Sequence, residues 1–174
     1  MTDDDRPTEH RSEDTLTGSE REQLEAFLHD NRLEVLGVLD GLTEEQARRR
    51  LVPSLTSPLA IVKHAVFVEK VWFHVSLAGR SRTDVGIPEA AEDSWLLTDD
   101  DTVETVRSAY RQAWAEADEI AAAYALDDLA VHNRRGPLTL RWIYAHMIEE
   151  LARHAGHGDI LREQILATDA AGRG

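Results

Sequence analysis

Residues 138–167 read LTLRWIYAHMIEELARHAGHGDILREQILA, and the periodicity of this stretch decides the fold class. An α-helix turns by ~100° per residue. With Met147 as origin, Leu140, Ile143, Tyr144, Leu151, Gly158, Leu161 and Ile165 all fall within about 60° of it. The segment therefore predicts one long helix, from Leu138 to about Ala167, with a single buried face. Two polar residues break that face. His154 sits at about −20° and Glu150 at about −60°, whereas Glu149 points the opposite way and belongs to solvent. His146 and His157 flank the arc near roughly −100° and −80°.

An ionised carboxylate is costly to bury unless it is neutralised, paired or bound to a metal. A glutamate and a histidine four residues apart stand one turn apart on one side of a helix, a spacing suited to chelating one divalent cation. An earlier stretch, SPLAIVKHAVFVEKVWF from Ser57, carries a similar anomaly. There His64 shares a face with Ala60, Ile61, Phe67, Val68, Val71 and Val75, all within about 60°. Lys63, Lys70 and His74 lie on another side. His64 thus looks inward, and with Glu150 and His154 it forms a facial N,N,O set with positions left open for water or substrate. Open positions distinguish a catalytic metal from a structural one. The plainer reading keeps the inward histidine as a hydrogen-bonded core residue and the Glu–His pair as an accident of a helix surface. His146 is a rival ligand, being also one turn from Glu150, but Glu150 lies closer to the centre of the arc.

The rest of the chain is read as helical with no convincing strand alternation. A first helix runs from about Ser19 to Leu42 with Leu24, Phe27, Leu28, Leu33, Val35, Leu36 and Leu39 as its apolar positions, and Gly41 marks its end. A short turn follows, with Thr43 as N-cap and Gln46 completing a capping box. Ser57-Pro58 opens the second long helix, a capping serine before a proline at the first helical position, and Gly79 closes it. Residues 79–98, rich in Gly, Pro, Ser and Asp, form a long connection of the kind that is often functional. A third helix, from about Asp100 to Ala125, aligns Val103, Val106, Tyr110, Trp114, Ala117 and Ile120. The expected organisation is a disordered acidic tail over 1–17, one all-α four-helix bundle with long inter-helix connections over 18–168, and a frayed end over 169–174.

Composition narrows the chemistry. Acidic residues outnumber basic ones 33 to 19, for a formal charge of −14. Such a surface repels phosphate backbones and anionic lipid, so neither nucleic acid nor membrane is an expected partner. No segment reaches the ~20 apolar residues of a membrane span. The acidic start is unlike a signal peptide, and the expected location is cytoplasmic. Cysteine is absent, which excludes disulfides, thiolate metal sites and a cysteine nucleophile. Any metal is held by nitrogen and oxygen, and any thiol chemistry needs a sulfur brought in by a small molecule.

The histidine, apolar run, acid and aromatic pair of SPLAIVKHAVFVEKVWF, together with the ARHAGHGDILRE run of the last helix, resemble the mycothiol S-transferase-like branch of the DinB superfamily over almost the whole chain except the tail. The resemblance implies a DinB-like four-helix bundle holding one divalent metal, usually zinc, through three side chains. Relatives that isomerise maleylpyruvate with mycothiol use a His, Glu, His set, which His64, Glu150 and His154 match residue by residue. The extra C-terminal domain of those relatives is not expected here, which puts that particular reaction in doubt. The implied function is a metal-dependent transferase in which mycothiol or a similar thiol, activated at the metal, attacks an electrophilic small molecule. His157, beside the ligand face, is a candidate for orienting a ligand or substrate. Ligand type favours zinc and also permits nickel, iron or manganese. Arg162 is expected to pair with an acid of another helix, and Trp72, Trp114 and Trp142 to serve as core or pocket wall. Two rival readings use the same helices: a metal-dependent hydrolase acting through a metal-bound water, and a non-enzymatic bundle that binds a partner through the 79–98 connection. A homodimer is compatible with such a bundle, though no exposed stripe singles out an interface.

Overall fold

The computed structural model describes residues 11–172, which are mostly helical. The elements are α1 (Glu20–Gly37), α2 (Glu44–Arg48), α3 (Pro58–Glu69), a π-helical continuation (Lys70–Leu77), a 3-10 turn (Ala91–Trp95), α4 (Val103–Ala121), strands β1 (Leu129–Ala130) and β2 (Leu138–Thr139), and α5 (Leu140–Ala171). Among the described residues no helix is long and apolar enough to cross a membrane.

Local signals place the helix starts. Ser19 and Thr43 each accept a hydrogen bond from a backbone N–H three residues on, and Glu22 and Gln46 reach back to complete capping boxes. The Ser57 hydroxyl caps α3 ahead of Pro58, and Thr102 and Thr139 cap α4 and α5. Gly79 takes a φ of +72°, which a glycine adopts without strain where the long second helix has to stop.

Tertiary pairs give the helix directions. Glu20 meets Arg141, Tyr144 bonds Glu25, and Arg162 bonds the Asp40 carbonyl, so α1 and α5 run parallel. His64 faces Glu150 while Trp72 faces Trp142, so α3 and α5 are antiparallel. Lys63 pairs with Asp101, and His74 lies beside Glu116, so α3 and α4 run in the same direction. Two consecutive parallel helices need a connection that travels back along their length. That is why 79–98 is long, and its return path lays the Ala91–Trp95 turn over α3.

Several expectations are corrected. Phe27 is 51% exposed, while His29, Asp30 and Arg32 are buried on α1. The second helix reaches Leu77 only by widening into π turns after Glu69, as in the bond from Ala78 N–H to the Phe73 carbonyl. Residues 129–130 and 138–139 pair as a short antiparallel ribbon that no alternation announced. Composition suggested a tail without structure through residue 17, yet Ser12–Thr15 form a 3-10 turn tied to α1 by Asp30, which accepts from the backbone N–H groups of Arg11 and Ser12. The earlier part of that predicted tail lies outside the described residues. At the other end α5 continues through Ala171, past the expected limit, and the last two residues of the predicted frayed end also lie outside.

The core holds a charged knot. Arg32, 1% exposed, forks onto Glu69 (Nε–Oε1 2.7 Å, Nη2–Oε2 2.8 Å) and reaches Asp118 Oδ1 at 2.7 Å. Phe73 and Trp114 flank the guanidinium at 5.9 and 5.5 Å. Just past the end of α1, Val38 packs against Gly158 of α5 so closely that an added Cβ would collide with its buried side chain. Gly158→Ala is therefore expected to cost about 1–3 kcal/mol by overpacking. Gly156→Ala, on the open side of the same helix, should instead stabilise by roughly 0.5–1 kcal/mol, the helix-propensity difference. Urea denaturation of the two variants checks the contrast, and equal effects would contradict this packing.

Burial lowers the imidazole pKa of both His29 and His74 from the ordinary 6.5, and Arg11 and Arg80 respectively push the same way. The unfolded chain then takes up protons before the folded chain does as pH falls below 6.5. Stability held above that pH is lost as pH drops toward the folded-state values. A His29→Gln, His74→Gln double variant, melted with chelator present, should show a shallower fall in Tm between about pH 7.5 and 5.5 than the parent. An unchanged slope would show that these two rings carry none of the acid sensitivity.

Candidate metal centre

The antiparallel crossing of α3 and α5 brings together the three residues singled out by periodicity. His64, Glu150 and His154 each offer one ligand atom, and these atoms all lie within 4.8 Å of one another. His154 Nε2 is 3.1 Å and His64 Nε2 3.6 Å from the same carboxylate oxygen, Glu150 Oε1. The two imidazoles meet edge to face at 5.1 Å. Side-chain exposures of 9, 18 and 12% for His64, Glu150 and His154 leave the group accessible but largely dry.

The connection after the π turns closes the site from above. Ser94, 3% exposed, lies with its Oγ 2.7 Å from His64 Nδ1 and donates its own proton to the Ala91 carbonyl. Trp95 stacks on the His64 ring at 4.1 Å and 17°, and touches His154 at 5.3 Å. Because the Ala91 carbonyl can only accept, the serine proton is committed there, so His64 Nδ1 has to be the donor to Oγ. A neutral His64 then turns the bare lone pair of Nε2 toward Glu150.

The charges fit that reading. Glu150 accepts a hydrogen bond from His154, which holds its carboxyl far below the usual carboxylate range. Burial lowers the His64 pKa, against the opposing pull of Glu150. A neutral His64 carries one ring proton, and it goes to Ser94 at 2.7 Å rather than to Glu150 at 3.6 Å. The outcome is an electron pair of His64 facing an ionised carboxylate, two electron-rich atoms that a cation between them would relieve. His154 Nδ1 is buried without a partner. Neutral imidazole and carboxylate are also the protonation states that metal binding requires, so the donor set fits a divalent ion.

The other candidates fall outside this cluster. His146 stacks on Trp142 at 5.0 Å and meets Trp72 edge-on at 4.7 Å, so Glu150, not His146, shares a point with both histidines. The exposed His157 touches His154 only edge-on, at 6.0 Å. It lines a hollow of about 320 Å³ with Val52, Thr56 and Ile160. A second hollow, about 370 Å³, is lined by Trp95, Glu92 and Thr56. A cavity of about 510 Å³ between α3, α4 and the connection is lined by Ser94 but by none of the three clustered residues. Arg162 bonds the Asp40 carbonyl rather than an acidic side chain, Arg153 pairs with Glu149 at the surface, and Trp142 is 40% exposed. Sequence reasoning missed Ser94 and Trp95; the only signal for them was the length of the connection that carries them.

A family model described as Mycothiol-S-transferase matches residues 23–167, a span that contains every residue of the cluster and of its cover. Comparison with curated proteins returns no match.

Proposed function

Because this chain belongs to the mycothiol-S-transferase family, we propose that it transfers a low-molecular-weight thiol, mycothiol or a close analogue, to an electrophilic small molecule, with His64, Glu150 and His154 holding a divalent metal. The observation that carries the reading is the convergence, within 4.8 Å, of one imidazole nitrogen from α3 with a carboxylate oxygen and a second imidazole nitrogen from α5. The nitrogen and oxygen donors favour zinc and are compatible with nickel, iron or manganese. The same reading takes the long helices as a DinB-like four-helix bundle.

A divalent ion bound there supplies a lowered pKa for a coordinated thiol, so that the sulfur is a thiolate near neutral pH. The chain's own residues then do the positioning. His64 and His154 would each offer a ring nitrogen and Glu150 one negative charge, which would moderate the acidity of the centre relative to three histidines. Trp95 shields one side of His64 from water. In this reading an electrophile would approach the sulfur through the hollows lined by Trp95 and by His157, and His157 would orient it. With no cysteine in the chain, the nucleophilic sulfur arrives with the thiol substrate.

Incubation of the purified protein with zinc, mycothiol and chlorodinitrobenzene tests the reading. Thiol consumption is expected to require metal, to stop with chelator, and to fall at least ~100-fold in Glu150→Ala, the upper range for disturbing a metal centre's supporting groups. Metal-independent consumption, or none across several thiols, contradicts it. Turnover of esters or amides without any thiol would instead favour a hydrolase on the same residues.

A further inference from the structure

We infer that Ser94 is the positioning residue of His64: by accepting from Nδ1–H it fixes the tautomer that leaves Nε2 free, so the 79–98 connection sets how tightly the centre holds its ion. The part concerning the ion rests on the function proposed above, whereas the tautomer does not. The geometry is complete on the protein side. Ser94 Oγ lies 2.7 Å from His64 Nδ1 and has its single proton committed to the Ala91 carbonyl at 2.5 Å. The serine is 3% exposed, so water does not substitute for it.

The imidazole is held in two ways at once. Trp95, the next residue, stacks on the ring within 17° of parallel and restricts its tilt, while Ser94 restricts its rotation and its proton. An unanchored neutral imidazole divides its proton between the two nitrogens, and each molecule with the proton on Nε2 is unable to bind an ion there. Partners of this kind behind a metal-binding histidine typically matter 10–100-fold for affinity. The fold explains why the serine lies here: the chain must return along α3 to start α4, and the 3-10 turn of that return passes over His64.

The test compares wild type, Ser94→Ala, Ser94→Thr and His64→Ala in two measurements. Two-bond proton–nitrogen NMR of the metal-free protein reads the tautomer. Wild type and Ser94→Thr should show His64 as the Nδ1–H form, and Ser94→Ala a mixture. Competition with a chromophoric zinc chelator reads affinity, which should weaken 10–100-fold in Ser94→Ala, return toward wild type in Ser94→Thr, and vanish in His64→Ala. A fixed Nδ1–H tautomer in Ser94→Ala, or zinc affinity equal to wild type there while His64→Ala has lost it, overturns the inference. If wild type binds no zinc yet its tautomer depends on Ser94, the proposed function fails while the positioning role stands.

Discussion

Glu69→Ala is expected to lower the stability of the fold by about 3–5 kcal/mol, the cost of removing one partner from a buried ion pair. Glu69 is fully buried and holds the Arg32 guanidinium through two hydrogen bonds at 2.7 and 2.8 Å. Burial raises the Glu69 carboxyl pKa while Arg32 opposes that rise. Without Glu69, the guanidinium keeps Asp118, a residue with a 55% exposed side chain, as its acidic partner, and a charge stays behind in the core. Alanine would also leave a cavity at the point where α3 widens into π turns. A double change, Arg32→Met with Glu69→Leu, should cost far less than Glu69→Ala, because apolar side chains of similar volume often replace a buried pair without loss. Urea unfolding of the three proteins decides the matter: a Glu69→Ala loss under about 1 kcal/mol would mean the pair is solvated in solution.

The second large effect concerns the ion. A ligand that binds only the folded chain stabilises it by RT ln(1 + [L]/Kd), about 4 kcal/mol at a thousandfold excess over Kd. Zinc at that excess should raise Tm by roughly 8–16 °C in wild type, at about 2–4 °C per kcal/mol for a chain of this size. In His154→Ala the shift should disappear, since the remaining His64 and Glu150 come from different helices and offer only two donors. The shift should persist in His157→Ala and His146→Ala, whose rings lie outside the cluster. A similar rise in all four proteins would point to binding elsewhere on this acidic surface.

What could be read from the sequence was what depends on neighbours in the chain. Capping residues such as Ser19, Thr43 and Ser57 act on backbone groups within three positions, so their helices start where predicted. The inward turn of His64, Glu150 and His154 followed from helical period alone, and their convergence needed only that two such faces meet. The rest is long-range. Arg32 and Glu69 are 37 positions apart, and on α1 a buried arginine reads like any solvated one, while Phe27 reads as apolar and inward though it is exposed. The shared direction of α3 and α4 is a property of packing, and with it went the reason for the 79–98 connection and the identity of Ser94 and Trp95. Two-residue strands are too short to alternate, which hid the ribbon at 129–130 and 138–139.

The most direct test of the central claim is the metal content of wild type, purified without chelator, beside a His64→Ala, His154→Ala double variant. About one divalent ion per wild-type chain and almost none in the double variant is the predicted result. Equal content in the two, at any level, would contradict it.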